Sequence, residues 1–311
     1  MVILTVSNLL QRLGSAMEYL CSDCPRNCGV RRSGTQRGGF CASPALPLVA
    51  RAAAHFGEEP CISGTRGSGA VFFTGCNLGC VFCQNRDISG GGRGVPLTVS
   101  ALRDCFLRLR DQGVHNINLV TASHFVRPVA EALSGLSLGI PVVWNSSGYE
   151  KVESLRMLEG LVQIYLPDMK YAKSELAARY SAAPDYPAVA AAAIREMFRQ
   201  TGPFQMDGNG LLRTGVLIRH LILPGETDNS MDVIDFVAEE FPPDSVLFSL
   251  MSQYTPMPGL ARFPALSQRV SAEENEQLCH YLRLRGIGNG YWQEPDSATA
   301  DMIPAFDGTG L

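Results

Sequence analysis

The chain has 311 residues, of which 46% are hydrophobic and 18% charged. That is a globular composition, enough for one large domain or two modest ones, and it excludes disorder as the dominant state. Twenty-six basic against 30 acidic side chains leave a formal net charge of −4, which argues against a broad electrostatic footprint for nucleic acid or an anionic membrane. The unusual feature is the set of ten cysteines. Seven fall in two tight groups, Cys21/Cys24/Cys28/Cys41 and Cys76/Cys80/Cys83, while Cys61, Cys105 and Cys279 stand apart.

Taken in chain order, Met1–Ser7 has no basic region and no long apolar run, so it does not read as a signal peptide. The next stretch reads as an amphipathic helix with Leu9, Leu10, Leu13, Met17 and Leu20 on one side. No run of about 18 apolar residues occurs anywhere, so no membrane span is expected. The expectation is a cytoplasmic protein whose clustered thiols serve metal rather than disulfides. Residues 1–66 are rich in Cys, Arg and Gly with weak periodicity, whereas from Ser68 onward short apolar runs alternate with amphipathic segments. This predicts a Cys-rich N-terminal extension over 1–66 and a main domain over 67–311. The strand candidates are Gly69–Thr74, Ile117–Thr121, Pro141–Asn145, Leu161–Leu166, Gly215–Leu223 and Ser245–Met251. Between them, Leu102, Cys105, Phe106 and Leu109 share one helical face, Ala188–Ala193 lies in an Ala-rich helix, and Ser271 with Glu274 forms a capping box opening a helix that stops at Gly286. Six strand–helix alternations predict an α/β fold with a parallel sheet, a partial (β/α)6 barrel of TIM type. Catalytic groups then belong at the C-terminal ends of the strands.

The loop leaving the first barrel strand reads Thr74-Gly75-Cys76-Asn77-Leu78-Gly79-Cys80-Val81-Phe82-Cys83 and places three thiols at C-x3-C-x2-C. A closed iron–sulfur cluster or a structural zinc takes four protein ligands. A [4Fe–4S] cluster on three thiolates leaves one iron open to a substrate or cofactor. The glycines let the loop wrap a cubane without Cβ clashes, and Phe82 is placed to pack on the cluster or on a nucleobase beside it.

This segment resembles the radical S-adenosylmethionine (radical SAM) motif, C-x3-C-x2-C with an aromatic residue before the third cysteine. The resemblance implies that Cys76, Cys80 and Cys83 hold a [4Fe–4S] cluster whose open iron chelates the amino and carboxylate groups of S-adenosylmethionine. Reductive cleavage would then give methionine and a 5′-deoxyadenosyl radical, the protein supplying ligation, orientation and a dry cavity. Across the barrel the motifs resemble those of the activating enzymes of glycyl-radical enzymes, such as pyruvate formate-lyase activating enzyme, and the departures described below make the pyruvate formate-lyase activating enzyme-like side branch the nearest match. Asn145-Ser146-Ser147-Gly148 occupies the place of a ribose-holding turn after the third strand, which implies Asn145 and Ser147 as cofactor contacts. Asp168-Met169-Lys170 matches a motif after the fourth strand, with Lys170 as partner of the cofactor carboxylate and Asp168 orienting it or meeting the substrate. Arg219, followed after four residues by Pro224-Gly225, repeats a fifth-strand spacing, and an Arg fork there suits a carboxylate or a peptide carbonyl.

Departures from that pattern are equally specific. Where the family carries Gly-Gly-Glu after the second strand, this chain has Thr121-Ala122-Ser123-His124. Backbone carbonyls and Ser123 would substitute, and His124 reads equally as a cavity residue or a satisfied core histidine. After the sixth strand, Tyr254 stands near the place of an adenine-contacting histidine and can stack as well. The glycine run from Ser89 to Gly94 lacks a P-loop lysine and reads as a flexible connection. These departures point to a side branch whose target is open.

Cys21, Cys24, Cys28 and Cys41 make C-x2-C-x3-C-x12-C, which reads as a second metal site stapling a small unit, zinc and a second iron–sulfur cluster being equally compatible and metal-free thiols remaining the alternative. Cys105 and Cys279 read as inert helix residues. Cys61 has an open reading as a catalytic thiol at the barrel mouth, and Glu58 and Glu59 read as solvated. The functional expectation is a radical SAM enzyme abstracting a hydrogen atom, with a glycyl-radical enzyme as a partner and a flavodoxin- or ferredoxin-type reductant implied by the resemblance. The alternatives are radical SAM modification of a small molecule or peptide, or a non-catalytic iron–sulfur or zinc protein. Nucleic acid and membrane are not expected as partners.

Overall fold

The computed structural model describes residues 18–293 and 304–311. Leu9, Leu10, Leu13 and Met17 of the expected N-terminal helix lie outside the described residues. Leu20 lies not in a helix but in β1 (Glu18–Leu20), which pairs antiparallel with β2 (Arg31–Ser33). Ten further strands form one sheet: β3 (Leu48–His55), β4 (Ser68–Phe73), β5 (Val95–Pro96), β6 (Ile117–Val120), β7 (Val142–Ser146), β8 (Ile164–Pro167), β9 (Gln205–Met206), β10 (Leu212–Leu221), β11 (Leu247–Met251) and β12 (Gly290–Trp292). Their order is β12-β11-β10-β8-β7-β6-β4-β3-β5, with β9 beside β10. The parallel series β4, β6, β7, β8, β10, β11 contains all six expected strands, and β12 extends it by one.

The four strands of this sheet that the sequence pattern does not reveal have physical reasons for silence. β3 reads Leu-Val-Ala-Arg-Ala-Ala-Ala-His, and alanine is depleted in strands, so its membership comes from pairing with β4 rather than from propensity. β5, β9 and β12 have two or three residues each, too few to show a period. Because β3 is antiparallel to β4 inside the sheet, the sheet begins at Leu48, and the expected division at residue 66 cuts through it.

Six parallel strands laid flat would put β4 and β11 about 24 Å apart at the usual spacing. Instead the loops that follow them meet: the Phe82 ring, after β4, lies 6.2 Å from the Tyr254 ring, after β11. The sheet is therefore curled into a partial barrel. The segment 304–311 lies on the outer edge of β3, where Gly308 N donates to Ala50 O at 3.0 Å and Ala52 N to Thr309 O at 2.9 Å, satisfying backbone groups that an open edge would expose.

Seven helices of five residues or more cover the outside among the described residues: α1 (Val99–Asp111), α2 (Val126–Leu133), α3 (Val152–Arg156), α4 (Ser174–Ser181), α5 (Tyr186–Thr201), α6 (Thr227–Glu240) and α7 (Ala272–Leu284). The face predicted for α1, Leu102, Cys105, Phe106 and Leu109, is buried. The capping box of Ser271 and Glu274 opens α7. No helix among the described residues is long and apolar enough to cross a membrane.

Inside the barrel the two-residue period of the strands stacks one chemistry upon another. Val143, Leu166, Leu217 and Leu247 belong to one buried apolar cluster. Two residues on toward the C-terminal ends of the same strands stand Asn145, Asp168, Arg219 and Ser249. Cys61 and Ile62, from the single helical turn Pro60–Ser63, join the apolar cluster and plug it from the N-terminal side. Ile62 is fully buried. Ile62→Ala should lower stability by about 2–5 kcal/mol, read as a reduced urea midpoint with an unchanged m-value.

Candidate active site

The C-terminal strand ends surround one cavity of about 240 Å³. Cys76, Cys80 and Cys83 line it together with Phe82, Asn145, Ser147, Asp168, Lys170 and Arg219. The loop carrying the thiols depends on two glycines in the left-handed region, Gly75 (φ +90°) and Gly79 (φ +81°). A Cβ at Gly75 would sit 2.6 Å from the Cys41 carbonyl oxygen, and one at Gly79 would sit 3.0 Å from the Phe40 ring. Leu78 N donates to Cys76 Sγ at 3.4 Å, and Ser181 Oγ donates to Cys80 Sγ at 3.1 Å. Burial pushes all three thiols above their ordinary range. No three His, Cys, Asp or Glu groups among the described residues converge to hold one metal ion. A cubane requires no such convergence, since each thiolate binds a different iron. Three half-buried thiols on one wall, two of them already accepting hydrogen bonds, fit that group.

Beneath the thiols lies a layer of paired charges. Arg219 donates from Nε to Asp168 Oδ1 at 3.0 Å, from Nη1 to Glu58 Oε2 at 3.0 Å, and from Nη2 to Asn145 Oδ1 at 2.5 Å. Asn118 and Asn145 each donate through Nδ2 to Glu58 Oε1 at 3.0 Å. Lys170 Nζ is 2.6 Å from Asp168 Oδ2. Burial by itself would raise the Asp168 carboxyl, but Lys170 and Arg219 overcome it and hold the group below the usual carboxylate range. Burial would lower the Lys170 ammonium, but Asp168 outweighs it and the group stays charged above its ordinary value, with Cys80 acting in the same direction.

Several expectations change here. The Arg219 fork is engaged by protein partners on all three nitrogens, so it does not stand free for a substrate carboxylate. Glu58 is not solvated: its side chain is 9% exposed and pairs with Arg219. Burial pushes the Glu59 carboxyl up, against the pull of Arg219. No sequence signal marked these two residues, because they follow a strand that has no strand-like pattern. Ser123 is buried but off the cavity wall, where Val120 and Thr121 stand instead. Tyr254 is also off the wall; its ring meets Phe82 edge-on and its hydroxyl donates to Leu266 O at 2.6 Å, while Met251 and Gln253 reach the cavity. His124 is a core histidine, with Nε2 2.9 Å from Thr74 O, and burial lowers it to about 3. Cys61 lies in the apolar plug rather than at the mouth, and burial pushes its thiol to about 11. Cys105 is buried on α1 as expected. His55, to which the sequence attached no signal, lines the cavity against Phe72.

In the N-terminal unit Cys21, Cys24 and Cys41 are buried and Cys28 is half-buried. Phe40 N donates to Cys28 Sγ at 3.3 Å, and the buried Arg32 donates from Nη2 to Cys41 Sγ at 2.8 Å.

The outward face of β10 secures the loop between Asp168 and Lys170. His220 Nδ1 lies 2.6 Å from Met169 O, an acceptor only, so Nδ1 carries the proton and Nε2 accepts from Ser230 Oγ at 2.9 Å. Burial lowers this imidazole from 6.5 to about 4. Below pH 6.5 the unfolded chain takes up a proton that the folded chain refuses until about pH 4. Stability from this group is therefore full above that range and falls by up to about 1.4 kcal/mol per pH unit within it. His220→Gln should flatten the slope of stability against pH by one proton in that window, measured by urea melts. Glu58→Ala should cost about 3 kcal/mol, the low end for a broken buried pair, because Arg219 keeps Asp168; denaturant titration reads this directly.

The sequence profile of the radical SAM superfamily matches residues 70–237, more than half of the chain. An uncharacterised protein of Methanocaldococcus jannaschii, MJ0674, is 30% identical over 267 residues, which cover 83% of this chain and 72% of that protein. Among solved structures, Streptococcus suis SuiB superposes with a TM-score of 0.45 at 13% identity, over 71% of this chain and 47% of that one. A domain of pyruvate-formate lyase-activating enzyme from Bacteroides vulgatus superposes with a TM-score of 0.37 at 15% identity, over 63% of this chain and 91% of that one. The chain thus spans about half the length of SuiB.

Proposed function

Because the chain belongs to the radical SAM superfamily, we propose that the cavity at its strand ends binds S-adenosylmethionine beside a [4Fe–4S] cluster on Cys76, Cys80 and Cys83 and directs hydrogen-atom abstraction from a substrate. The observation that carries this reading is the set of three thiols on one cavity wall with a charged Lys170 beside them, and no fourth cysteine on that wall among the described residues. Held by Cys76, Cys80 and Cys83, such a cluster would supply the one-electron reduction of S-adenosylmethionine on which hydrogen-atom abstraction depends.

The chain's own residues perform the binding and orienting. Lys170 has donors left over after Asp168 and offers a fixed positive charge for the cofactor carboxylate. Asp168 keeps that ammonium in place through a 2.6 Å contact. Ser147 and Thr121 face the cavity with hydroxyls suited to a diol, whereas Asn145 is held by Arg219 and Glu58 and acts by shaping the turn. Phe82, packed edge-on against Tyr254, adds an apolar ring to the cavity wall. The apolar plug below excludes water from the N-terminal end, which protects a radical from quenching.

The finer target we propose is a glycine Cα of a partner glycyl-radical enzyme, with an electron donor of flavodoxin or ferredoxin type. The order of Asn145–Gly148, Asp168–Lys170 and Arg219–Gly225 on successive strand ends supports it. Modification of a small molecule or peptide is the competing outcome. For the N-terminal thiols, zinc and a second iron–sulfur cluster are equally compatible with the four-cysteine set.

Anaerobic reconstitution, reduction and addition of S-adenosylmethionine should release 5′-deoxyadenosine and methionine, and Cys76→Ala should abolish release. Failure of the wild-type protein to release either product would sink the reading. Iron and zinc analysis of the same preparation assigns the N-terminal thiols: about eight irons means a second cluster there, and about four irons with zinc means a zinc site.

A further inference from the structure

The N-terminal unit lies directly on the loop that carries Cys76, Cys80 and Cys83. Arg26 stands between Cys24 and Cys28, and its guanidinium reaches four backbone carbonyls. Nε donates to Asn77 O at 2.8 Å, Nη2 to Leu78 O at 2.8 Å and to Ser181 O at 3.0 Å, and Nη1 to Ala182 O at 2.5 Å. Asn77 and Leu78 separate Cys76 from Gly79 and Cys80. Ser181 closes α4 and donates its hydroxyl to Cys80 Sγ, and Ala182 is the left-handed cap of that helix.

Carbonyls at a helix C-terminus and in a tight loop all present partial negative charge, and unsatisfied they are costly once buried. A planar cation with fixed donor directions both neutralises them and sets their relative positions, which a flexible ammonium does not. The guanidinium plane is itself held, 3.8 Å from the Phe40 ring centroid and 5.2 Å from that of Tyr149. Phe40 is the neighbour of Cys41, and both approach the glycines of the thiol loop, Phe40 at Gly79 and the Cys41 carbonyl at Gly75. The four-cysteine unit therefore touches the thiol loop at Gly75, Asn77, Leu78 and Gly79.

We propose that Arg26 is a positioning residue for the radical cluster: the N-terminal four-cysteine unit holds this guanidinium in place, and the guanidinium sets the backbone geometry and local charge of the Cys76–Cys80 loop. The inference rests on the cluster reading above. Two effects follow. Iron is retained because the loop is preorganised, and the reduced cluster is favoured because a fixed positive charge lies beside it.

The test compares Arg26→Ala, Arg26→Lys and Lys151→Ala with the wild-type protein, all reconstituted as full chains. Lys151 is the control because its ammonium ties the same N-terminal loop, at Ser22 O and Asn27 Oδ1, without contacting the thiol loop. Arg26→Ala should lose cluster iron to a chelator about 10–100-fold faster, lower the cluster potential, and alter the paramagnetic resonance change that S-adenosylmethionine induces in the reduced cluster. Arg26→Lys should keep the potential closer to wild type but leave iron loss fast, since an ammonium cannot span four carbonyls. It also keeps the inference testable should the alanine variant fold poorly. Lys151→Ala should behave as wild type in all three readouts. Wild-type retention and potential in Arg26→Ala, or equal losses in Lys151→Ala, would overturn the proposal. A wild-type protein that shows no spectral response to S-adenosylmethionine would instead refute the cluster reading on which it rests.

Discussion

A guanidinium inside the barrel organises the rest of the molecule. Arg219 stays charged at every pH a folded protein meets, so burying it demands partners with full hydrogen-bond geometry. Those partners come from β8 through Asp168, from β7 through Asn145 and from the segment before β4 through Glu58. The demand fixes register. Asp168 and Arg219 face each other as a bridge between β8 and β10, and a slip of one residue would turn Arg219 outward and bring His220 in. Lys170 then has a charged, fully oriented carboxylate beside it, and the thiol wall has a cation at its foot.

The N-terminal region serves the barrel at both ends. From the N-terminal side, Cys61 and Ile62 fill the apolar layer while Glu58 completes the charged layer above it. From the opposite side, Arg26, Phe40 and Cys41 rest on the thiol loop. A single continuous segment of chain thus closes the floor and braces the rim, and β3 joins the two by pairing with β4. The cysteines divide accordingly. Three line the cavity, four belong to the brace, Cys61 belongs to the plug, Cys105 is an outer core residue, and Cys279 is half-buried against that core.

Much of this was legible in the residue order. The six principal parallel strands carry dense Val, Ile, Leu and Phe runs because both of their faces are covered, and the structure places them within a few residues of the expected bounds. The thiol triad and the residues Ser147, Asp168 and Lys170 reach one cavity, as strand-end positions in a parallel barrel should. Ser123 and Tyr254 also follow strand ends yet miss the wall, because one residue of phase in a turn decides whether a side chain faces inward, and turns have no period to read. Glu58 and Glu59 escaped because a pair of carboxylates just before a proline reads as surface unless the buried cation is known.

By itself, the sequence determined the chemistry available: three thiols without a fourth, the alternation that builds a parallel barrel, and a cation two residues after an aspartate. Spacing along the chain is enough for these, since neighbouring residues on one loop or strand cannot separate. The tertiary structure alone decided who holds whom. Glu58 and Arg219 stand 161 positions apart, and Arg26 and Ser181 stand 155 apart. Pairings at that range are set by the curl of the sheet and by the requirement that every buried charge and carbonyl find a partner, conditions that no local pattern records.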